Sequence, residues 1–99
     1  MKKLFISQPM RDKSDEDIRV ERAQAKEAVE ARLKERVEVI DSFFEGCPHE
    51  ATPLWYLGKS LEMLSQADVA YFVHDWQKYR GCKIEHDACV AYGIETFYE

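Results

Sequence analysis

The 99 residues suffice for one compact domain over 1–99 and leave little room for a second. A hydrophobic fraction of 45% and a charged fraction of 33% are typical of a soluble globular protein rather than a disordered or membrane-bound one. No apolar run approaches the roughly 20 residues that cross a bilayer, so no membrane partner is expected. The net charge of −5 argues against binding to polymeric nucleic acid, which normally requires a basic face.

The elements follow one another as alternating strands and helices. KKLFIS (2–7) is a short apolar run that predicts the first strand. Ser14, with Asp17 three residues later, predicts the capped start of an amphipathic helix that continues to residue 36. VEVID (37–41) predicts the second strand.

The second half of the chain continues the alternation. Thr52 as N-cap and Pro53 as first helical residue predict a second helix. Its buried face would be formed by Leu54, Leu57, Leu61 and Leu64. ADVAYFV (67–73) is an unbroken apolar run, typical of a strand that is covered on both faces.

Residues 79–94 predict a third helix, and IETFY (94–98) predicts a last strand. The apolar stripe of this helix would be formed by Ile84, Ala88 and Ala91. Strands this far apart need crossover connections, which predicts a parallel sheet of about four strands with helices on both faces, a three-layer α/β sandwich.

In an open parallel sheet, ligands bind beyond the carboxyl ends of the strands. Three segments are expected at that edge: SQPMRD after the first strand, HDWQKYRG after the third, and the start of the helix that carries Glu85. DSFF, at the end of the second strand, is a fourth candidate. A glutamate in a first helical turn gains about 0.3–1 kcal/mol from the helix dipole, and that role alone would explain Glu85. Alternatively, Glu85 faces a cleft as a nucleophile or an acid/base, with Gly81 letting a ligand approach the backbone.

Two other charged side chains at this edge are open to two interpretations. Arg11 precedes a helix N-terminus, where it could help to bind phosphate, or it is a solvated surface arginine. Asp75 is a second candidate carboxylate or a plain loop acid. The sequence has no glycine-rich dinucleotide or P-loop motif, and no cofactor is expected.

The cysteines predict reduced thiols and a cytoplasmic protein, because they are odd in number and lack the spacing of a disulfide framework. They are Cys47, Cys82 and Cys89. The apolar stretch at the N-terminus ends at Ser7, too short for a signal-peptide core. Cys82, His86 and Cys89 share a helical face, and CPH adds two possible zinc ligands, but the spacing matches no usual zinc module. No metal site is predicted.

Segments distributed over the whole chain resemble a small family of bacterial and phage proteins. They are KLFISQPMRDKSDEDI, VEVIDSFFE, HEATPLWYLGKSLEML, ADVAYF and RGCKIEHDACVAYGI. That family is similar to a short branch of the nucleoside 2-deoxyribosyltransferase superfamily, which includes deoxynucleotide N-glycosidases. The resemblance implies a flavodoxin- or Rossmann-like fold and a homodimer.

The resemblance also implies roles for particular residues. GCKIE matches the G-x-x-x-E helix start of the superfamily, which makes Glu85 the nucleophile that attacks the anomeric carbon and Gly81 the motif glycine. Arg11 falls where related N-glycosidases have an arginine near the phosphate. The first strand-end loop would hold the nucleoside or its 5′-phosphate, through Ser7, Gln8, Pro9, Met10 and Arg11.

Four departures from the superfamily pattern bear on catalysis. Phe5 stands for a tyrosine, Ser60 for an aspartate, Tyr79 for a polar residue, and His86-Asp87 for Leu-Gly. The departing base needs a proton, since a heterocyclic anion is a poor leaving group. If Ser60 cannot assist, Asp75 or His86 must, or the chain binds its ligand without turning it over.

Three functions are therefore open at the level of sequence. The first is a nucleoside or nucleotide N-glycosidase or 2-deoxyribosyltransferase, and the second is a non-catalytic module that binds or senses a nucleotide. The third is a phage or bacterial interaction protein, because aromatic residues in or beside loops often mark interfaces. These aromatics are Phe43, Phe44, Trp55, Tyr56, Trp76 and Tyr79.

Overall fold

The computed structural model describes residues 1–9, 13–41 and 52–99. Its elements alternate as the sequence predicts. They are β1 (Lys2–Ser7), α1 (Asp15–Leu33), β2 (Val37–Val39), α2 (Pro53–Leu64), β3 (Val69–Phe72), a short 3₁₀ helix (Trp76–Lys78), α3 (Arg80–Tyr92) and β4 (Glu95–Tyr98).

The four strands form one parallel sheet in the order β2-β1-β3-β4. Leu4 pairs with Val39 on one side and with Val69 on the other, so β1 is central. The predicted parallel α/β sandwich is confirmed. None of the helices in the described ranges is long and apolar enough to cross a membrane.

Each face of the sheet has its own core. Ala25 and Val29 of α1 pack on one face, against the strand residues Leu4, Ile6, Val37, Val69, Tyr71 and Phe97 and against Val73, which follows β3. Leu64 of α2 and Cys89 of α3 pack on the other face, against Phe5, Ala70 and Phe72. Because side chains alternate along a strand, Ser7 follows Phe5 onto the α2/α3 face, whereas Gln8 turns toward α1.

The predicted helix starts are confirmed. Ser14 Oγ accepts a hydrogen bond from Asp17 N at 3.1 Å, and Thr52 Oγ1 accepts one from Trp55 N at 3.1 Å. Helix α1 ends at Leu33, three residues earlier than predicted, since Lys34 adopts a left-handed conformation with φ 56° and its N–H closes the last turn on Glu30 O.

Two predicted buried faces are partly wrong. Leu54 is 74% exposed because α2 reaches the sheet only toward its C-terminal end, where Leu64 is buried. In α3, Ile84 is 38% exposed and Ala91 is also exposed. The inward stripe of α3 is instead formed by Cys82, Glu85 and Cys89.

Candidate functional site

The strand order creates a switch point between β1 and β3. From β1 the chain crosses to β2 on one side, and it later returns to β3 on the other side. In such sheets a crevice opens at the carboxyl ends of the two strands where the direction reverses. Ser7 ends β1 and pairs with Phe72 of β3, and Val73 N donates to Ser7 O at 3.2 Å.

Glu85 reaches this switch point from α3. Ser7 Oγ donates a hydrogen bond of 2.7 Å to Glu85 Oε1, and the two residues are only 1% and 7% exposed. Helix α3 begins at Arg80, so Glu85 lies in its second turn, and the first turn has no acidic residue. The prediction of a first-turn glutamate is therefore wrong, and the helix dipole does not account for Glu85.

Burial changes the acid–base behaviour of this inward stripe. It raises the pKa of Glu85 to about 7, and the hydrogen bond from Ser7 opposes that rise. Burial likewise raises the pKa values of Cys82 and Cys89 to about 11. At neutral pH the stripe thus holds one titrating carboxyl group between two protonated thiols.

On the opposite face, Gln8 anchors a polar network against α1. Gln8 Nε2 donates to Glu21 Oε1 at 2.7 Å, and Gln8 Oε1 accepts from Arg22 Nη1 at 3.1 Å. Lys13 Nζ lies 3.0 Å from Glu21 Oε1. Arg22 Nη2 also donates to Ile40 O at 2.7 Å, just after β2. The network ties the ends of β1 and β2 to α1.

This network is not predicted from the sequence, because the charged residues of an amphipathic helix normally face solvent. Glu21 and Arg22 follow the buried Ile18 by three and four positions, so they belong to the inward side of α1. That spacing was the available signal. Both side chains are half-buried, and both contact Gln8, the residue that follows β1.

Asp75 and His86 lie in a second group, beyond β3 and β4. Asp75, with φ 64°, precedes the 3₁₀ helix, and its carboxylate oxygens lie 3.4 Å from Lys78 Nζ and 3.5 Å from His74 Nε2. The imidazole of His86 stacks on Trp76 with 4.3 Å between ring centroids. Within the described ranges no hydrogen bond or ion pair joins Asp75 or His86 to Glu85.

A cleft of about 500 Å³ opens beside this second group. It is lined by Val73, His74, Asp75, Trp76, Gln77, Tyr98 and Glu99. A larger cleft of about 680 Å³ lies at the opposite edge of the sheet, between α2 and α3, where Asp68 precedes β3 and Ile94 precedes β4. Parallel sheets bind ligands at the carboxyl edge, so the smaller cleft is the better placed of the two.

The other predicted binding residues are dispersed. Pro9 is half-buried just beyond β1, and Ser60 is half-buried in α2. Tyr79 is exposed and precedes α3. At Gly81, in the first turn, an added Cβ would meet no described atom within 4 Å.

Some predictions fall on residues outside the described ranges. They are the binding roles of Met10 and Arg11, the interface aromatics Phe43 and Phe44, and the possible zinc ligands Cys47 and His49. Among residues 1–9, 13–41 and 52–99, no group of three or more His, Cys, Asp or Glu side chains is arranged to hold a metal ion. Cys82 and Cys89 point into the core, whereas His86 faces Trp76.

Two solved structures share the fold of this chain. A conserved protein from Enterococcus faecalis V583 superposes with a TM-score of 0.68 and 17% identity, over 99% of this chain and 62% of its own. The 2-deoxyribosyltransferase of Bacillus psychrosaccharolyticus gives a TM-score of 0.62 and 18% identity, over 97% of this chain and 70% of its own.

The resemblance to the nucleoside 2-deoxyribosyltransferase superfamily is thus confirmed at the level of the fold. The chain spans about three fifths of the length of the Enterococcus protein. No family model and no curated protein matches the sequence.

Proposed function

We propose that the protein is a nucleoside or nucleotide N-glycosidase or 2-deoxyribosyltransferase with Glu85 as its nucleophile. The observation that carries the proposal is the burial of the Glu85 carboxyl group against Ser7 at the end of β1. The shared fold with an enzyme that is named for 2-deoxyribosyl transfer supports this choice of chemistry.

The geometry at Glu85 suits nucleophilic attack. Ser7 donates to Oε1, and no described residue donates a hydrogen bond to Oε2, so the proposal assigns the attack on the sugar carbon to Oε2. A carboxylate with few hydrogen-bond donors is poorly stabilised, and this raises its reactivity as a nucleophile. Its pKa of about 7 leaves a substantial ionised fraction at neutral pH.

The reaction then proceeds by two displacements at the anomeric carbon. The carboxylate bonds to that carbon while the bond to the base breaks, and the bonding electrons leave with the base nitrogen. Water or a second base next displaces Glu85 from the ester, which gives hydrolysis or transfer with net retention. Asp75 and His86 are the candidates for supplying a proton to the departing base.

The open first turn of α3 supports binding of a ligand above Glu85. Glycine in a helix costs about 0.5–1 kcal/mol relative to alanine. A Cβ added at Gly81 would clash with no described atom, so packing within the described ranges does not explain why this position is glycine. We attribute the glycine to close approach of a sugar or phosphate to the backbone.

The test is release of free base from purine and pyrimidine deoxynucleosides and their monophosphates. Glu85→Gln keeps the volume of the side chain and removes the nucleophile, so release should fall to background. Asp87→Asn is the matched control, because Asp87 is an exposed carboxylate on the same helix. Base release that persists in Glu85→Gln contradicts the proposal.

A non-catalytic nucleotide-binding module is the second candidate. The contacts of the two candidate proton donors favour this function. Asp75 contacts Lys78 and His74. His86 contacts Trp76 and Tyr98, and within the described ranges neither donor forms a hydrogen bond or ion pair with Glu85. A nucleotide at a hundredfold excess over its dissociation constant should then stabilise the fold by about 2.7 kcal/mol. Recovery of that nucleotide unchanged distinguishes this function from turnover.

A further inference from the structure

The aromatic wall comprises Trp76, His86 and Tyr98. Trp76 and Tyr98 line the cleft beyond β3 and β4, and His86 contacts both of them. Trp76 and His86 stack at 4.3 Å with 29° between their planes. His86 Nε2 lies 2.6 Å from the Tyr98 hydroxyl, which in turn lies 3.0 Å from Thr96 Oγ1. Three rings and a hydroxyl thus contact one another, so the wall is held together by contacts within the protein.

The rim of the cleft carries two carboxylates that are held in place. Asp75 lies between Lys78 and His74, and Glu99 Oε1 accepts a hydrogen bond from His74 N at 3.0 Å. A carboxylate only accepts hydrogen bonds, so it favours a ligand that presents N–H donors and disfavours one that presents a carbonyl oxygen. Gln77 on the same rim has a side-chain amide that can both donate and accept a hydrogen bond.

We propose that this cleft binds the nucleobase of the substrate and selects bases with an exocyclic amino group, such as cytosine or adenine. The base stacks on the part of Trp76 that is not covered by His86, and its amino group donates to Asp75. Stacking of a base on an aromatic side chain contributes through the π-face and suits any base. Discrimination therefore comes from Asp75.

This inference rests on the proposed function and changes the role of one residue in it. If Asp75 accepts from the amino group, it recognises the base and does not protonate it. Asp75→Asn then changes the preference among bases, because the asparagine amide can donate to a keto oxygen. Asparagine also tolerates the left-handed conformation that Asp75 adopts at φ 64°.

The experiment uses the variant Trp55→Phe. The chain has two tryptophans, so this substitution leaves Trp76 as the only one. Quenching of Trp76 fluorescence, together with the shift of its indole N–H resonance, is followed in titrations with deoxycytidine and deoxyuridine. These nucleosides differ at position 4, amino in one and keto in the other, and at N3, which accepts a hydrogen bond in cytosine and donates one in uracil. Deoxycytidine should bind about tenfold more tightly, as a hydrogen bond to a charged group predicts. Asp75→Asn should abolish that preference, and Asp87→Asn should leave it unchanged.

Equal affinity for the two nucleosides, or a preference that survives Asp75→Asn, overturns the inference. Base release without any perturbation of Trp76 also overturns it and leaves the role of Glu85 standing. Selective binding of deoxycytidine at Trp76 without base release supports the cleft and counts against the glycosidase. Absence of nucleoside binding by both fluorescence and NMR overturns the base site.

Discussion

Ser7 and Glu85 lie 78 positions apart in the chain and share a buried hydrogen bond of 2.7 Å. The bond joins the end of the central strand to the second turn of α3, at the point where the strand order reverses. Burying a carboxyl group against a single hydroxyl donor is costly when the group is ionised. That cost can be measured whether or not the protein is an enzyme.

Glu85→Gln should stabilise the protein at alkaline pH. Burial raises the pKa of Glu85 from 4.5 to about 7, so the folded state favours the protonated form. The stability that this group contributes is fully present below pH 4.5 and is lost as the pH rises through about 7. Glutamine does not titrate in this pH range. The free energy of unfolding of Glu85→Gln should therefore exceed that of wild type by an amount that grows with pH toward an upper bound of about 3 kcal/mol.

Urea denaturation of wild type and Glu85→Gln at several pH values from 4 to 8 measures this advantage. Asp87→Asn removes an exposed carboxylate from the same helix and should show no comparable trend. A difference between wild type and Glu85→Gln that does not vary with pH would contradict the raised pKa of Glu85.

Ser7→Ala should raise the pKa of Glu85 further above about 7, because the hydroxyl of Ser7 is the donor that opposes the effect of burial. Titration of the Glu85 carboxyl carbon by NMR follows this pKa directly. If Glu85 is the nucleophile, it must be ionised to attack, so the acidic limb of kcat/KM should move to higher pH together with its pKa. Ser65→Ala is the control, since Ser65 is exposed and donates to Glu62 O. An unchanged Glu85 pKa in Ser7→Ala rules out this role for Ser7.

The network on the α1 face should matter for stability. Arg22→Ala removes the donors to Gln8 Oε1 and to Ile40 O, and leaves half-buried acceptors without them. The expected loss is about 1–3 kcal/mol, because unsatisfied buried polar groups are expensive. Lys26→Ala, at an exposed position on the same helix, should cost much less. Equal losses of unfolding free energy in the two variants would contradict a structural role for the network.

Local signals predicted the order of elements, and tertiary contacts determined the rest. Ser14, Thr52 and Pro53 start helices through bonds within a few residues, so sequence spacing was sufficient to predict those starts. The phase of α3 depends on a partner 78 residues away, and hydrophobic spacing therefore selected Ile84 in place of Glu85. The stacking of His86 on Trp76 likewise requires the turn at Asp75, whose left-handed conformation leaves no sequence pattern.

We predict a homodimer, as the sequence resemblance implies, and among the described residues α3 presents exposed apolar surface that could form its interface. Val90 and Tyr92 are 67% and 85% exposed, and Tyr92 borders the cleft of about 680 Å³ together with Leu61 and Leu64 of α2. Exposed apolar surface of this kind is typical of interfaces, because burying it removes it from water. Light scattering at micromolar concentration should therefore give twice the monomer mass.

Val90→Lys should convert the dimer to monomer without unfolding it, since the side chain is exposed in the monomer. Val20→Lys is the matched control: Val20 is 49% exposed and lies on α1, which covers the other face of the sheet. Circular dichroism of both variants separates dissociation from loss of fold. Monomer mass for the wild type at every concentration rules out the dimer, and equal dissociation of the two variants rules out α3 as its interface.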